Sequence, residues 1–577
     1  MRHFFSAAWP ALLPALLLTG PGAQAQAPAW QSVVTAPPVG ANASLVSASA
    51  ADANGNVYLA GFFSGTVRFG STALVSAGAT DGFVAKWNRA TGGFSWAQRL
   101  GGPGRDQTVD VVLRGADVYV AGSFDGVTAT FGATTLNNVG APGTDDVFIT
   151  KLTDAGGSAN VVWTQGAGGP AADTPAALAL SGTSLYVAGG FSNTCSFGGV
   201  PVTSAGESDA FVAKLADTGT GASFAWAQRA GGTADDYAVA LATNGADVYV
   251  AGGFGGTTAG FGALTLANSG PAATADAFVA KLADAGSTSR FVWAQPGGGP
   301  GNDTVFGLVA NGPAVYAAGN FAGATAAFGG SPLANAGPDG TTDIFVAKLL
   351  DAGSTGAYAW AQRAGSDQDD EAARLLLNGP DLYLAGVFGG ATAAFGPAVL
   401  TNTGPAGTPD IYVAKLADLG TAGGFAWVQQ AGGVGLDFAF TLAASGPNVY
   451  VGGSVQPPAA FGTQTVAGPV GPFQVAYLAR LGPTPLAAAA PALAAGLALY
   501  PNPARGAATV FVPAVAGASA ATLTLLDALG RPVRAETLSL PAAGRAAALG
   551  LAGLAPGAYA LRVQAGNALA TRRLVVE

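Results

Sequence analysis

Three columns of aspartate recur along this 577-residue sequence at a nearly constant step. Asp106, Asp173, Asp236, Asp303, Asp370 and Asp437 each lie ten residues after a tryptophan, and Gly40 stands where a seventh member would fall. Asp81, Asp146, Asp209, Asp276, Asp343 and Asp410 each lie five residues before a lysine. Asp154, Asp217, Asp284, Asp351 and Asp418 open D-x-G turns. Calcium takes oxygen ligands and needs no histidine, so the first column is a candidate acidic ring for Ca²⁺. The simpler reading makes each of its members a turn-capping residue bonded to its own backbone. Turn chemistry is also expected of the other two columns, with ion pairing to the nearby lysine in the second. Paired carboxylates can hydrolyse glycosides. However, Glu207 and Glu371 are the only glutamates between residues 26 and 482. A residue repeated in every unit is expected to be structural, because an active site is asymmetric.

What is missing narrows the chemistry further. The only histidine is His3 and the only methionine is Met1. Both fall in residues 1–25, which read as a signal peptide: a short basic start, an apolar core at 7–18, and an A-x-A site predicting cleavage between Ala25 and Gln26. The mature chain would lack the histidine needed for a Ser-His-Asp triad, a Cys-His dyad or a His-ligated metal. Cys195 is the only cysteine, so no internal disulfide is expected. The net charge is −9 and no Lys/Arg cluster occurs, which argues against nucleic acid or an anionic membrane as partner. No transmembrane segment is expected after signal removal. No resident cofactor is expected, Ca²⁺ being the one candidate.

The elements that must position these residues are repeats. Seven copies of one pattern run from VYLAGFF at 57 to VYVGGSV at 449, spaced 61 to 67 residues apart. DGFVAKW at 81 and its relatives keep the same step, as does Trp-x-Gln from Trp96 to Trp427, with a Phe-Gly pair between the first two patterns. Each unit reads as four short strands, apolar on both faces and bounded by Gly, Asn, Asp and Pro. A small sheet covered on both sides is the condition of a blade between two neighbours. The expected fold is therefore all-β: a seven-bladed β-propeller at 26–482, with an extra hairpin near each Phe-Gly. The last unit lacks its Trp-x-Gln. Trp30-Gln31, 66 residues before Trp96, supplies the missing copy, so the N-terminal segment is expected to close the last blade. GNVYLAGFF, then FG, DGFVAKW and FSWAQ, resembles the SBBP family of β-propeller repeats in secreted bacterial proteins. That resemblance implies a fold and no agreed activity.

Residues 483–497 are rich in Pro and Ala and read as a linker. Residues 498–577 differ in kind. LYPNPA, TLTLLDALGRPVR, LAPGAYALRV and TRRLVVE resemble the type A sorting domain of the type IX secretion system. The resemblance rests on Tyr500, Pro501, Asn502 and Pro503, and on Gly557, Tyr559 and Arg562. Their alternating runs suggest a small β-sandwich. The resemblance implies handling by the type IX machinery and delivery to the cell surface or the medium. The expected function is a monomeric, non-catalytic module binding a surface protein or glycan. The alternatives are a secreted carbohydrate-active enzyme using Asp carboxylates and a purely structural surface component.

Overall fold

A computed structural model describes residues 27–577 except 41, 469–470, 472, 484–490, 528–530 and 567. The expected cleavage site, Ala25 and Gln26, lies outside the described residues. The chain divides into two compact units, 1–483 and 484–577. It is all-β: among the described residues, strands make up the regular structure apart from one six-residue helix, Pro491–Gly496.

In the first unit the first six repeats each form a four-stranded antiparallel meander, and the seventh supplies three strands of another. In the fourth repeat the strands are Asp236–Asn244, Asp247–Phe254, Asp276–Asp284 and Ser289–Gly297, paired in that order. A short hairpin, Thr258–Phe261 with Leu264–Ala267, is inserted between the second and third strands, where the Phe-Gly pair lies. Gly262 (φ +60°) takes the first of the two loop positions, a conformation that L-residues avoid. Phe261 turns inward onto Phe278 and Phe291, at ring-centroid distances of 4.9 and 5.5 Å.

The first strands of the seven repeats begin at Ser44, Asp106, Asp173, Asp236, Asp303, Asp370 and Asp437, and each packs on the next. That of the seventh packs on that of the first. Ala36, Val46 and Leu59 share one core with Ala443, Tyr450 and Leu478. The N-terminal strand Ala29–Ala36 pairs antiparallel with Val475–Gly482, Trp30 opposite Leu481, and completes the last sheet. Trp30 is buried. Its indole Nε1 donates to the Gln430 carbonyl at 2.9 Å, and its ring meets Phe461 edge-on at 5.1 Å.

In the second unit, one sheet joins Ala498–Tyr500, Ala507–Val512 and Arg545–Gly550. The other joins Pro532–Ser539, Ala520–Leu526, Gly557–Ala565 and Ala568–Val576. Both contribute to one apolar core. Part of the stretch read as a linker belongs here. Pro491–Gly496 is helical, and Leu493 and Leu497, one turn apart, are both buried in this core. Arg572 anchors the helix by donating to the carbonyls of Ala494 and Leu497.

Candidate functional site

The aspartates of the D-x-G turns do more than close turns. Asp284 accepts the Gly286 N–H of its own turn at 2.9 Å. It also accepts three donors from the preceding repeat: Tyr186 Oη at 2.7 Å, Lys214 Nζ at 2.5 Å and Trp226 Nε1 at 3.1 Å. The same Tyr-Lys-Trp set converges on Asp154, Asp217, Asp351 and Asp418. Burial raises these carboxyls. The donated hydrogen bonds outweigh it and hold all five below the usual carboxylate range, Asp418 at about 2. The repeated tyrosine, lysine and tryptophan thus form a clasp between neighbouring repeats. The lysine's partner is this aspartate, rather than the one five residues before it. Removing one member of a buried pair strands the other charge, at a cost of about 3–5 kcal/mol. Asp284→Ala should therefore lower unfolding free energy by about that much in denaturant melts. Asp145→Ala, which breaks an exposed pair with Arg105, should cost less than about 1 kcal/mol.

The other two columns meet at the junctions between repeats. Asp106, Asp173, Asp236, Asp303, Asp370 and Asp437 are all buried. Five accept the backbone N–H four residues earlier, from Gly102, Gly232, Gly299, Ser366 and Gly433. Asp173 is the exception: both of its buried carboxyl oxygens lack a hydrogen-bond partner. Each lies beside a carboxyl of the second column. Burial, and then repulsion from that neighbour, raises Asp303 to about 8 and the other five to about 7. Glycine is required between the two. A Cβ on Gly231 would lie 2.4 Å from Asp209 Oδ1 and 2.7 Å from Asp236 Oδ2.

Charge compensation at these junctions differs between repeats. Arg99, Arg229 and Arg363 reach Asp81, Asp209 and Asp343 at 2.6–2.7 Å. Where the arginine is absent, Ser269 and Thr403 hydroxyls donate to Asp276 and Asp410 at 2.8 and 2.6 Å. Asp146 has Val139 and Gly166 at those two places and receives only backbone bonds. Among the described residues, no three His, Cys, Asp or Glu side chains gather into a group that could hold a metal. The six aspartates of the first column are thus distributed one to a repeat.

A different place gathers all seven repeats. Each first strand carries a β-bulge, and the extra residues are Ser47, Val109, Ala176, Val239, Phe306, Ala373 and Phe440. A bulge re-aims the side chain it releases. All seven line one cavity of 440 Å³, together with Phe62, Phe438, Glu371 and Arg374. The rings of Phe438 and Phe440 stack at 5.6 Å. A second cavity of 540 Å³ is lined by the following halves of the same strands. Arg374 lines both and reaches Asp110 Oδ1 at 3.3 Å. Asp110 also accepts the N–H groups of Leu178 at 2.8 Å and Val111 at 3.0 Å. The residue after each bulge is otherwise small: Ala48, Ala177, Ala240, Gly307 and Thr441. Two opposite charges breaking that column were the sequence signal for this pair, which the repeat reading overlooked.

In the second compact unit the sorting motif comes together on its last strand. Asn502 Nδ2 donates to the Arg573 carbonyl at 2.7 Å, and its Oδ1 accepts the Val575 N–H at 2.8 Å. Gly557, Tyr559 and Arg562 pair with the same strand, opposite Val576, Leu574 and Thr571. Tyr500 is exposed, with Pro501 and Pro503 beside Asn502 in the following turn. Residues 498–577 match the family described as a secretion system C-terminal sorting domain. This sorting domain marks the chain for the type IX secretion machinery and for export through the outer membrane, to the cell surface or extracellular space. Among the described residues no helix is long and apolar enough to cross a membrane. No curated protein matches the chain. One similar solved structure is a protein of unknown function from Dyadobacter fermentans DSM 18053. It is 13% identical, with a TM-score of 0.32 over 65% of this chain and 93% of that one. A likeness of that degree bears on neither fold nor function.

Proposed function

We propose that the repeat region is a seven-bladed β-propeller of the SBBP type, closed by Ala29–Ala36, and that it works outside the cell as a non-catalytic binding module. In this reading the sorting domain is a small β-sandwich, and the ligand, a surface protein or a glycan, engages the cavity shared by the seven first strands. One observation carries the proposal. The recurring aspartates are engaged in turns, clasps and junction pairs, whereas the bulge column varies from Ser47 and Ala176 to Phe306 and Phe440 where it lines the cavity. Repetition builds a scaffold, and variation at one concave place builds a site. An array of glycans and purified surface proteins probed with the exported chain tests it. Binding should be found, and Ala176→Trp, which fills the cavity from one wall, should abolish it. Binding that survives Ala176→Trp would move the site elsewhere.

No resident ion is part of this proposal. Carboxyls already bonded to backbone N–H groups, hydroxyls or arginine have little to offer calcium. Titration to millimolar Ca²⁺ at pH 6 should leave the melting temperature unchanged, and a rise would put an ion at the junctions.

A further inference from the structure

We infer that the 440 Å³ cavity takes a small amphiphile with an apolar body and a single carboxylate head, the head seated on Arg374. The inference rests on the reading of this cavity as the ligand site and adds the ligand's chemistry. Its walls are apolar and unevenly aromatic: Phe62, Phe306, Phe438 and Phe440 are half-buried there, facing Val109 and Val239. An apolar body gains by displacing water from such walls.

Charge complementarity decides the head group. Arg374 is the only basic residue lining the cavity. A guanidinium has five N–H donors, and Arg374 spends one, on Asp110. Two backbone N–H groups already serve Asp110, which is 1% exposed and stays in place as a counter-ion. The Arg374 side chain keeps 31% of its surface open, so a fork of unused donors remains for a carboxylate, the planar acceptor that such a fork matches.

Orientation follows from the second charge. Glu371 also lines the cavity and is exposed, whereas Arg374 reaches through to the second cavity. A carboxylate halting beside Glu371 would be repelled, and one at Arg374 would be paired. The head therefore enters first and the apolar body rests against the phenylalanines. A cationic head would be repelled at Arg374 and could halt only beside Glu371, short of the end of the path.

Three probes with one body and different heads test this on the full exported chain: decanoate, decanol and decyltrimethylammonium, by isothermal titration calorimetry. Decanoate should bind about tenfold to a hundredfold more tightly than decanol, the range of a charge-assisted hydrogen-bonded pair. The ammonium should bind more weakly than decanoate, and equal or tighter binding would overturn the head-group assignment. Arg374→Gln should erase the preference for decanoate. Arg374→Lys, which keeps the charge beside Asp110, should retain part of it and guards against loss by misfolding. Equal binding of decanoate and decanol, both lost in Ala176→Trp, would overturn the carboxylate claim and leave the cavity reading standing. Binding of no decyl probe, alongside glycan or protein binding that Ala176→Trp abolishes, would overturn the inference alone. Decanoate binding that survives Ala176→Trp would overturn both.

Discussion

A chain lacking residues 27–36 should lose the cooperative unfolding of its whole repeat region, while the sorting domain keeps its own core. The segment supplies the outer strand of the last sheet, from Ala29 opposite Gly482 to Ala36 opposite Ala476. Without it, Val475–Gly482 becomes an open edge with unpaired N–H and C=O groups. Trp30 alone fills a place among Phe461, Tyr477 and Leu481, and truncating a buried aromatic residue of this size costs about 3–5 kcal/mol. Ala36 is buried in the core that the first and last repeats share, so the damage passes to the contact between them. The summed loss exceeds that of Trp30→Ala and approaches the whole stability of an ordinary domain, about 5–15 kcal/mol. Chemical denaturation followed by tryptophan fluorescence checks it, with Trp30→Ala as the graded intermediate. A truncated chain that unfolds at the full-length midpoint would show that the strand is dispensable.

Much of this was legible because repeats report on themselves. Trp30 lies one step before Trp96, so the pairing of the N-terminal strand could be placed from spacing alone, and each Phe-Gly marked its hairpin. What spacing could not give was partnership across repeats. Lys86 follows Asp81 by five residues, and an odd spacing on a strand puts two side chains on opposite faces. The lysine therefore turns to Asp154 in the next repeat, 68 residues away. The junction pairs were hidden for the same reason. Asp81 begins a third strand and Asp106 begins the first strand of the following repeat, and only packing sets them side by side. Arg374 and Asp110 stand 264 residues apart, and no local pattern links them. In the Pro- and Ala-rich stretch before the sorting domain, only Leu493 and Leu497 hinted at a helix, too short a signal against that composition.

Those junction pairs set the pH at which the protein should be most stable. Asp106, Asp173, Asp236, Asp370 and Asp437 are pushed up to about 7 and Asp303 to about 8, by burial first and then by the neighbouring carboxyl. In the unfolded chain an aspartate titrates near 3.9. The folded state therefore binds protons that the unfolded state has released, and stability falls as pH rises between about 4 and 8. The clasp aspartates work in the opposite direction. Held below the usual range, they stabilise above about pH 4, and that contribution is lost as pH falls through their folded values. The two trends place the stability maximum at about pH 4, where the unfolded aspartates titrate. Each pK unit is worth about 1.4 kcal/mol, so even one unit per junction over six junctions amounts to about 8 kcal/mol between pH 5 and pH 8. Melting temperatures across that range should fall by about ten degrees or more. Asp303→Asn separates this from a general effect of charge. Its amide oxygen can still accept the Gly299 N–H that Asp303 Oδ2 accepts at 2.8 Å, and it cannot ionise. The variant should melt higher than the natural protein at pH 8 and alongside it at pH 5. A natural protein as stable at pH 8 as at pH 5 would mean that the buried pairs are neutralised by something other than protons.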